Sequence, residues 1–155
     1  MAAAAAARVA VVGAGSVIAN GIYALRDAAV VPAAFALVCE ASGWAAPETW
    51  ARLNGSRVWF ESGNASYIYF NRGDGQWWLD SGVTGLGLYV SRAAGAGAVP
   101  PSDGWTLIGD GALPLPTVTS APRTVADAMH SLSRPLAGPA THFPAQLSAA
   151  SRRSG

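Results

Sequence analysis

Residues 66–80 carry the strongest fold signal in the chain. Ser66-Tyr67-Ile68-Tyr69-Phe70-Asn71 and Gln76-Trp77-Trp78-Leu79-Asp80 are two aromatic and β-branched runs separated by Arg72-Gly73-Asp74-Gly75. Such side chains suit a pleated surface, and Asp-Gly accepts the left-handed backbone of a tight turn, so the pattern predicts an antiparallel hairpin. Successive side chains of a strand point to opposite faces, so Trp77 and Trp78 cannot share one, and Tyr67 and Tyr69 oppose Ile68 and Phe70. A sheet built on this hairpin is apolar on both faces and needs cover on both. Two covers are open: a segment of the same chain, either residues 28–53 or a C-terminal helix, or a partner molecule.

The rest of the first 118 residues repeats the theme. Asn20-Gly21, Asn54-Gly55, Asp74-Gly75, Asp103-Gly104 and Asp110-Gly111 punctuate short apolar runs at Val9–Val12, Ile22–Leu25, Phe35–Cys39, Arg57–Phe60, Gly87–Ser91 and Trp105–Ile108. Each run is the length of a strand and the punctuation accepts tight turns. Residues 47–53 read as a helical turn or a further strand. The expected fold is mainly β: a small antiparallel sheet, sandwich or partly open barrel, with a short C-terminal helix and extended arms. Residues 1–8 form an Ala-rich N-terminal arm, 9–118 the β-domain, and 119–155 a Pro/Ser/Ala-rich tail. Within the tail, Thr124-Val125-Ala126-Asp127 resembles a capping box and Val125, Met129 and Leu132 share a helical face, which predicts a helix over 124–133 ended by Pro135.

Length and charge exclude several function classes. A chain of 155 residues with 51% hydrophobic content fits one domain with a core, not a multi-domain enzyme or a disordered polyelectrolyte. Ten Arg, no Lys and nine acidic residues leave a net charge of +1, too little to draw nucleic acid. The longest uncharged run, Val9 to Leu25, is broken by three Gly and by Asn20, so no transmembrane span is expected. In the stretch from Met1 to Ala19 the one charge, Arg8, sits late for a secretory signal. The expected compartment is therefore cytoplasmic or organellar, plastid included, rather than secreted, and Asn54-Gly55-Ser56 and Asn64-Ala65-Ser66 are chance sequons. Cys39 is the single cysteine, so it has no intrachain disulfide partner and reads as a small buried thiol.

No catalytic constellation emerges. His130 and His142 both lie in the tail, apart from Cys39, so no metal cluster is expected, and Glu40, Glu48 and Glu61 are scattered through loops. Val9-Ala10-Val11-Val12-Gly13-Ala14-Gly15 imitates the start of a dinucleotide-binding unit. Asn20-Gly21 would break the helix that must follow, and no acidic residue ends a second strand about 20 residues on. No cofactor is expected, and dinucleotide binding at the Gly13–Gly15 turn stands as a remote alternative.

The order of several motifs resembles a poorly characterised small β-domain of protists and algae. They are Gly13-Ala14-Gly15 with Asn20-Gly21-Ile22-Tyr23, the tyrosine and tryptophan strands, Pro100-Pro101-Ser102-Asp103-Gly104-Trp105, and Pro114-Leu115-Pro116-Thr117-Val118. The resemblance covers residues 9–118 and implies an interaction or structural module, with no chemistry to carry over. This chain departs from the pattern in its long segment between Tyr23 and Tyr67, which holds Trp44, Trp50 and Trp59.

These readings predict a non-catalytic structural or adaptor subunit bound to other protein subunits, such as a peripheral subunit of a large algal, plastid-type assembly, with membrane contact only through a partner. Trp44, Trp50, Trp59, Trp78 and Tyr69 are the candidate partner-binding residues. Asn20, Gly21, Tyr23, Trp77, Trp105, Pro114 and Pro116 are structural: Asn20-Gly21 as a left-handed turn, the aromatics as core anchors, and the prolines as a stop that leads the chain off the sheet. The alternative is a carbohydrate-binding module that stacks a sugar on Trp78 with Gln76, Asp80 and Asn71 as polar partners.

Overall fold

A computed structural model describes residues 8–92 and 99–121, all within one compact unit. Its eight strands are β1 (Arg8–Val12), β2 (Gly21–Arg26), β3 (Trp59–Ser62), β4 (Tyr67–Asn71), β5 (Gln76–Asp80), β6 (Gly87–Ser91), β7 (Trp105–Leu107) and β8 (Thr117–Ala121). They form one antiparallel sheet in the order β7-β6-β5-β4-β3-β2-β1-β8, curled into a half-barrel. The fold is therefore mainly β, and the 66–80 hairpin lies at its centre, with Tyr69 opposite Trp78 and Phe70 opposite Trp77.

The period of two sorts the side chains into two cores. Val9, Val11, Tyr23, Phe60, Ile68, Phe70, Trp77, Leu79, Leu88, Tyr89, Trp105 and Val118 fill the concave side. Trp59, Tyr67 and Tyr69 face the convex side, where two helices cover them: α1 (Ala33–Ser42) and α2 (Ala46–Asn54). The 28–53 segment thus supplies the second cover from within the chain. The predicted C-terminal helix lies outside the described residues, as do the N-terminal arm, His130 and His142.

The run Phe35–Cys39 is helical, not a strand. Ala-rich flanks favour a helix. Pro32 starts it, and Gly43 ends it at φ +71, a left-handed residue that lets Gly43 N–H reach Glu40 O (3.1 Å) and Trp44 N–H reach Cys39 O (2.8 Å). The helix is apolar along Ala34, Phe35 and Cys39, which it buries against the sheet. Residues 47–53 belong to α2, which carries Pro47 and Glu48 in its first turn and Arg52 in its last, matching the helix dipole.

Three further local expectations change. Asn20 is extended at φ −74°, and its side chain closes the β1–β2 loop by accepting from Ala14 N–H (2.9 Å) and donating to Ala14 O (3.0 Å). Gly21 alone has a positive φ there, +146. Pro114 and Pro116 do not lead the chain away. They precede β8, which returns to pair with β1 from Arg8↔Ala121 to Val12↔Thr117, so the sheet continues past Val118. Finally, β3 begins at Trp59 rather than Arg57.

Candidate functional site

Four of the five aromatic residues expected to meet a partner come together, but in the interior. Trp50 is 1% exposed, Trp59 0% and Tyr69 3%, and Trp78 packs half-buried at the margin of the same cluster. Trp50 is the hub: its ring centroid lies 5.0 Å from Phe35, 4.9 Å from Tyr69 and 5.6 Å from Trp59 in edge or tilted contacts. Their polar tips are satisfied inside the layer. Trp50 Nε1–H donates to Ala28 O, and Trp59 Nε1–H lies 3.0 Å from Asp27 O and 2.9 Å from Val30 O. Trp50, Trp59 and Tyr69 therefore present no exposed face to a partner in this arrangement, while Trp78 keeps part of its surface open. Trp44 lies apart on the α1–α2 turn and is 58% exposed.

The sugar-binding set shares one face of the β4–β5 hairpin, but half of it is buried. Asp80 and Asn71 are buried, and Asn71 Nδ2 donates to Tyr69 Oη while its Oδ1 accepts from Gly73 N–H. Trp78 Nε1–H is held by Asp74 Oδ2 at 2.8 Å, and Gln76 Nε2 donates to the same oxygen. Only Trp78 and Gln76 keep partial exposure.

The same layer encloses one ionisable group that the sequence did not single out as titratable. Asp80 ends β5 where the pairing with β6 shifts register, and the residue is buried. Burial pushes its pKa up to about 7, against a partial lowering by the Tyr67 hydroxyl, and Oδ1 has no hydrogen-bond partner. Burial and the nearby Asp80 raise Tyr67 and Tyr69 far above the ordinary phenol range, so both stay neutral. A buried carboxyl among neutral tyrosines can titrate, and the buried Cys39 thiol lies near Tyr67 in the same layer. Among the described residues no group of three or more His, Cys, Asp or Glu could hold a metal ion.

The opposite character appears at one end of the barrel, where the Gly13–Ser16 loop meets residues 109–116. A side chain at Gly15 would collide with the Leu113 carbonyl, and this close approach lets Gly15 N–H donate to Pro114 O (2.8 Å). Ser16 ties the two loops together: its N–H donates to Tyr89 Oη (2.9 Å) and its Oγ accepts from Ala112 N–H (2.9 Å). Tyr89 Oη in turn donates to Ala112 O at 2.6 Å. The N–H groups of Ala14, Gly15 and Ser16 are therefore all engaged by protein, and β1 runs through a three-residue 3-10 turn (Val17–Ala19) into antiparallel β2. This is not the strand–turn–helix unit that cradles a pyrophosphate.

Four aliphatic side chains project from this bolted end: Val17 (80% exposed), Leu113 (68%), Val12 and Leu115. No charged residue occurs from Val9 to Leu25 or from Gly111 to Ala121. Several of the residues expected to be structural serve this end. Tyr23 is buried and donates to Ala19 O (2.7 Å), Asn20 closes the loop, and Pro114 accepts from Gly15. Trp77 and Trp105 anchor the concave core.

Comparison with family models, with curated proteins and with solved structures gives no match. No helix among the described residues is long and apolar enough to cross a membrane.

Proposed function

We propose that the protein is a non-catalytic structural or adaptor subunit that docks onto a protein partner through the aliphatic end of its barrel. One observation carries this reading: Val17, Leu113 and Leu115 stand exposed on loops fixed by hydrogen bonds to one another and to Tyr89, beside the exposed Val12 at the end of β1. An exposed aliphatic patch on an otherwise mixed surface favours association, and loops already held in place lose little further entropy on binding. The partner presents a complementary apolar surface with little charge. The sequestered aromatic layer and the engaged amides of the glycine turn support a scaffolding role over sugar or dinucleotide binding.

The test uses the full chain, tagged and expressed at its natural level. The wild type should migrate in native size fractionation as part of a larger complex. The Val17→Asp/Leu113→Asp variant, both positions being exposed, should run as free protein with unchanged near-ultraviolet circular dichroism. Equal migration of the two would remove the basis of the reading. Glycan binding lost in Trp78→Ala would replace it with the carbohydrate-binding alternative.

A further inference from the structure

We infer that the seam between β8 and the Val99–Ser102 segment is a strand-addition site, which takes an extended, uncharged stretch of a partner polypeptide onto the open edge of β8. The inference goes beyond the barrel-end reading and does not depend on it. Its centre, Ser120, lies three residues along β8 from Thr117, which pairs with Val12 of the barrel end.

Among the described residues the strand order leaves β8 as an edge, with β1 on one side. In an antiparallel strand the N–H and C=O of one residue point to the same side, and the side alternates along the chain. Val118 N–H donates across the seam to Ser102 O at 3.0 Å, so Val118 faces away from β1. Ser120 then shares that outward side, while Thr117, Thr119 and Ala121 direct their groups to β1. Among the described residues the Val118–Ser102 bond is the one main-chain link across the seam.

The facing wall explains why closure stops there. Val99-Pro100-Pro101-Ser102 holds two consecutive prolines, which have no N–H to offer β8 carbonyls. The wall is nevertheless fixed: Pro100 and Pro101 are buried, and Trp105 Nε1–H donates to Pro101 O at 3.0 Å. A sheet edge and a rigid proline wall are thus held apart around a cavity of about 540 Å³, lined by Val9, Val118, Val99, the two prolines and three hydroxyl residues.

That lining selects the occupant. The cavity is large enough for a small ligand, but a main-chain donor and acceptor aimed from one strand residue match another strand. No lining residue is charged, so ionic side chains in the groove would lose hydration without compensation. Thr117-Val118-Thr119-Ser120-Ala121 also lacks the Lys, Pro or inward charge that commonly blocks an edge. The fitting segment is extended, has small or β-branched residues at alternate positions, and carries no charge over the stretch that contacts β8.

The test pans a phage-displayed library of random heptapeptides on the full chain and follows amide exchange at Ser120. In the chain alone the Ser120 amide should exchange faster than that of Thr119, which belongs to the β1 ladder. Enriched peptides should be uncharged, should slow exchange at Ser120, and should bind Ser120→Pro about tenfold more weakly, the effect of one lost main-chain hydrogen bond. Proline at this outward position leaves the β1 ladder intact, and N-methylation of alternate peptide amides probes the same ladder without touching the protein. Val17→Asp/Leu113→Asp should bind these peptides as the wild type does, so failure at the barrel end and failure at the seam are separable. The inference is overturned by any of four results. No peptide is enriched. Binding is indifferent to both Ser120→Pro and N-methylation. Ser120 is protected in the chain alone, which means the chain fills its own groove. Or a dimer forms that Ser120→Pro dissolves, which makes the occupant a second copy.

Discussion

The two faces of the sheet are both packed, yet they are built differently. The concave core joins aliphatic side chains to a few anchors such as Trp77, Trp105 and Tyr89, and residues from every strand contribute to it. The convex layer is mainly aromatic, draws on the helical hairpin of α1 and α2, and buries Asp80. Filling the barrel fixes the whole sheet, whereas the convex layer depends on a helical cover being in place. A Trp-rich surface in sequence is therefore not a Trp-rich surface in space, and at the barrel end the exposed apolar side chains are aliphatic: Val12, Val17, Leu113 and Leu115.

The largest expected effects separate the two cores directly. Trp77→Ala and Trp50→Ala should each cost about 3–5 kcal/mol, the range for truncating a buried large aromatic. Trp77→Ala should speed amide exchange across all strands. Trp50→Ala, which removes the ring shared by Phe35, Trp59 and Tyr69, should release α1 and α2 first. Equal loss of protection in every element of both variants would merge the two layers into one cooperative unit.

A second effect depends on pH and belongs to the convex layer alone. The folded-state pKa of Asp80, about 7, lies above the ordinary aspartate value of 3.8. Between these values the folded protein holds a proton that the unfolded chain releases. Stability from this group is complete below about pH 4 and falls as pH rises to about 7, by up to roughly 4 kcal/mol. Denaturant midpoints measured from pH 4 to 8 should show the decline in the wild type and a nearly flat profile in Asp80→Asn. Identical profiles would place the carboxyl in contact with water.

Much of this contrast is legible in residues 66–80, whose alternation by itself separates Tyr67 and Tyr69 from Ile68 and Phe70. The helical cover is less legible. Phe35-Ala36-Leu37-Val38-Cys39 is apolar throughout, so it has no clear period, and the deciding signals are the flanking Pro32 and Gly43. Strand β8 is hidden for another reason: its partner, β1, lies about a hundred residues away, and the prolines before it read as a stop. The barrel end could be suspected only from the uncharged stretches 9–25 and 111–121, because its shape depends on Gly15 meeting Leu113 across the fold.

Smaller effects refine the picture. Gly85 packs against α1 at φ +68, and an added Cβ would lie 2.5 Å from Ala34 O. Gly85→Ala should cost about 2–3 kcal/mol by thermal or urea unfolding, through strain and overpacking of the convex layer. Asn20→Ala, which removes both bonds to Ala14, should cost about 1–2 kcal/mol and loosen the Val17 loop without affecting α1. Breaking the partly exposed Arg26–Glu61 pair should change stability by less than about 1 kcal/mol, because water screens it.

The most direct test of the central claim compares two crosslinking positions in the same full-length chain. A photo-activatable residue replaces either Val17 at the barrel end or Trp44 on the helical cover, both exposed. The barrel-end account predicts one discrete protein adduct from position 17, abolished by Leu113→Asp, and none from position 44. An adduct from position 44 that is absent from position 17 would contradict it and return the docking surface to the helical side.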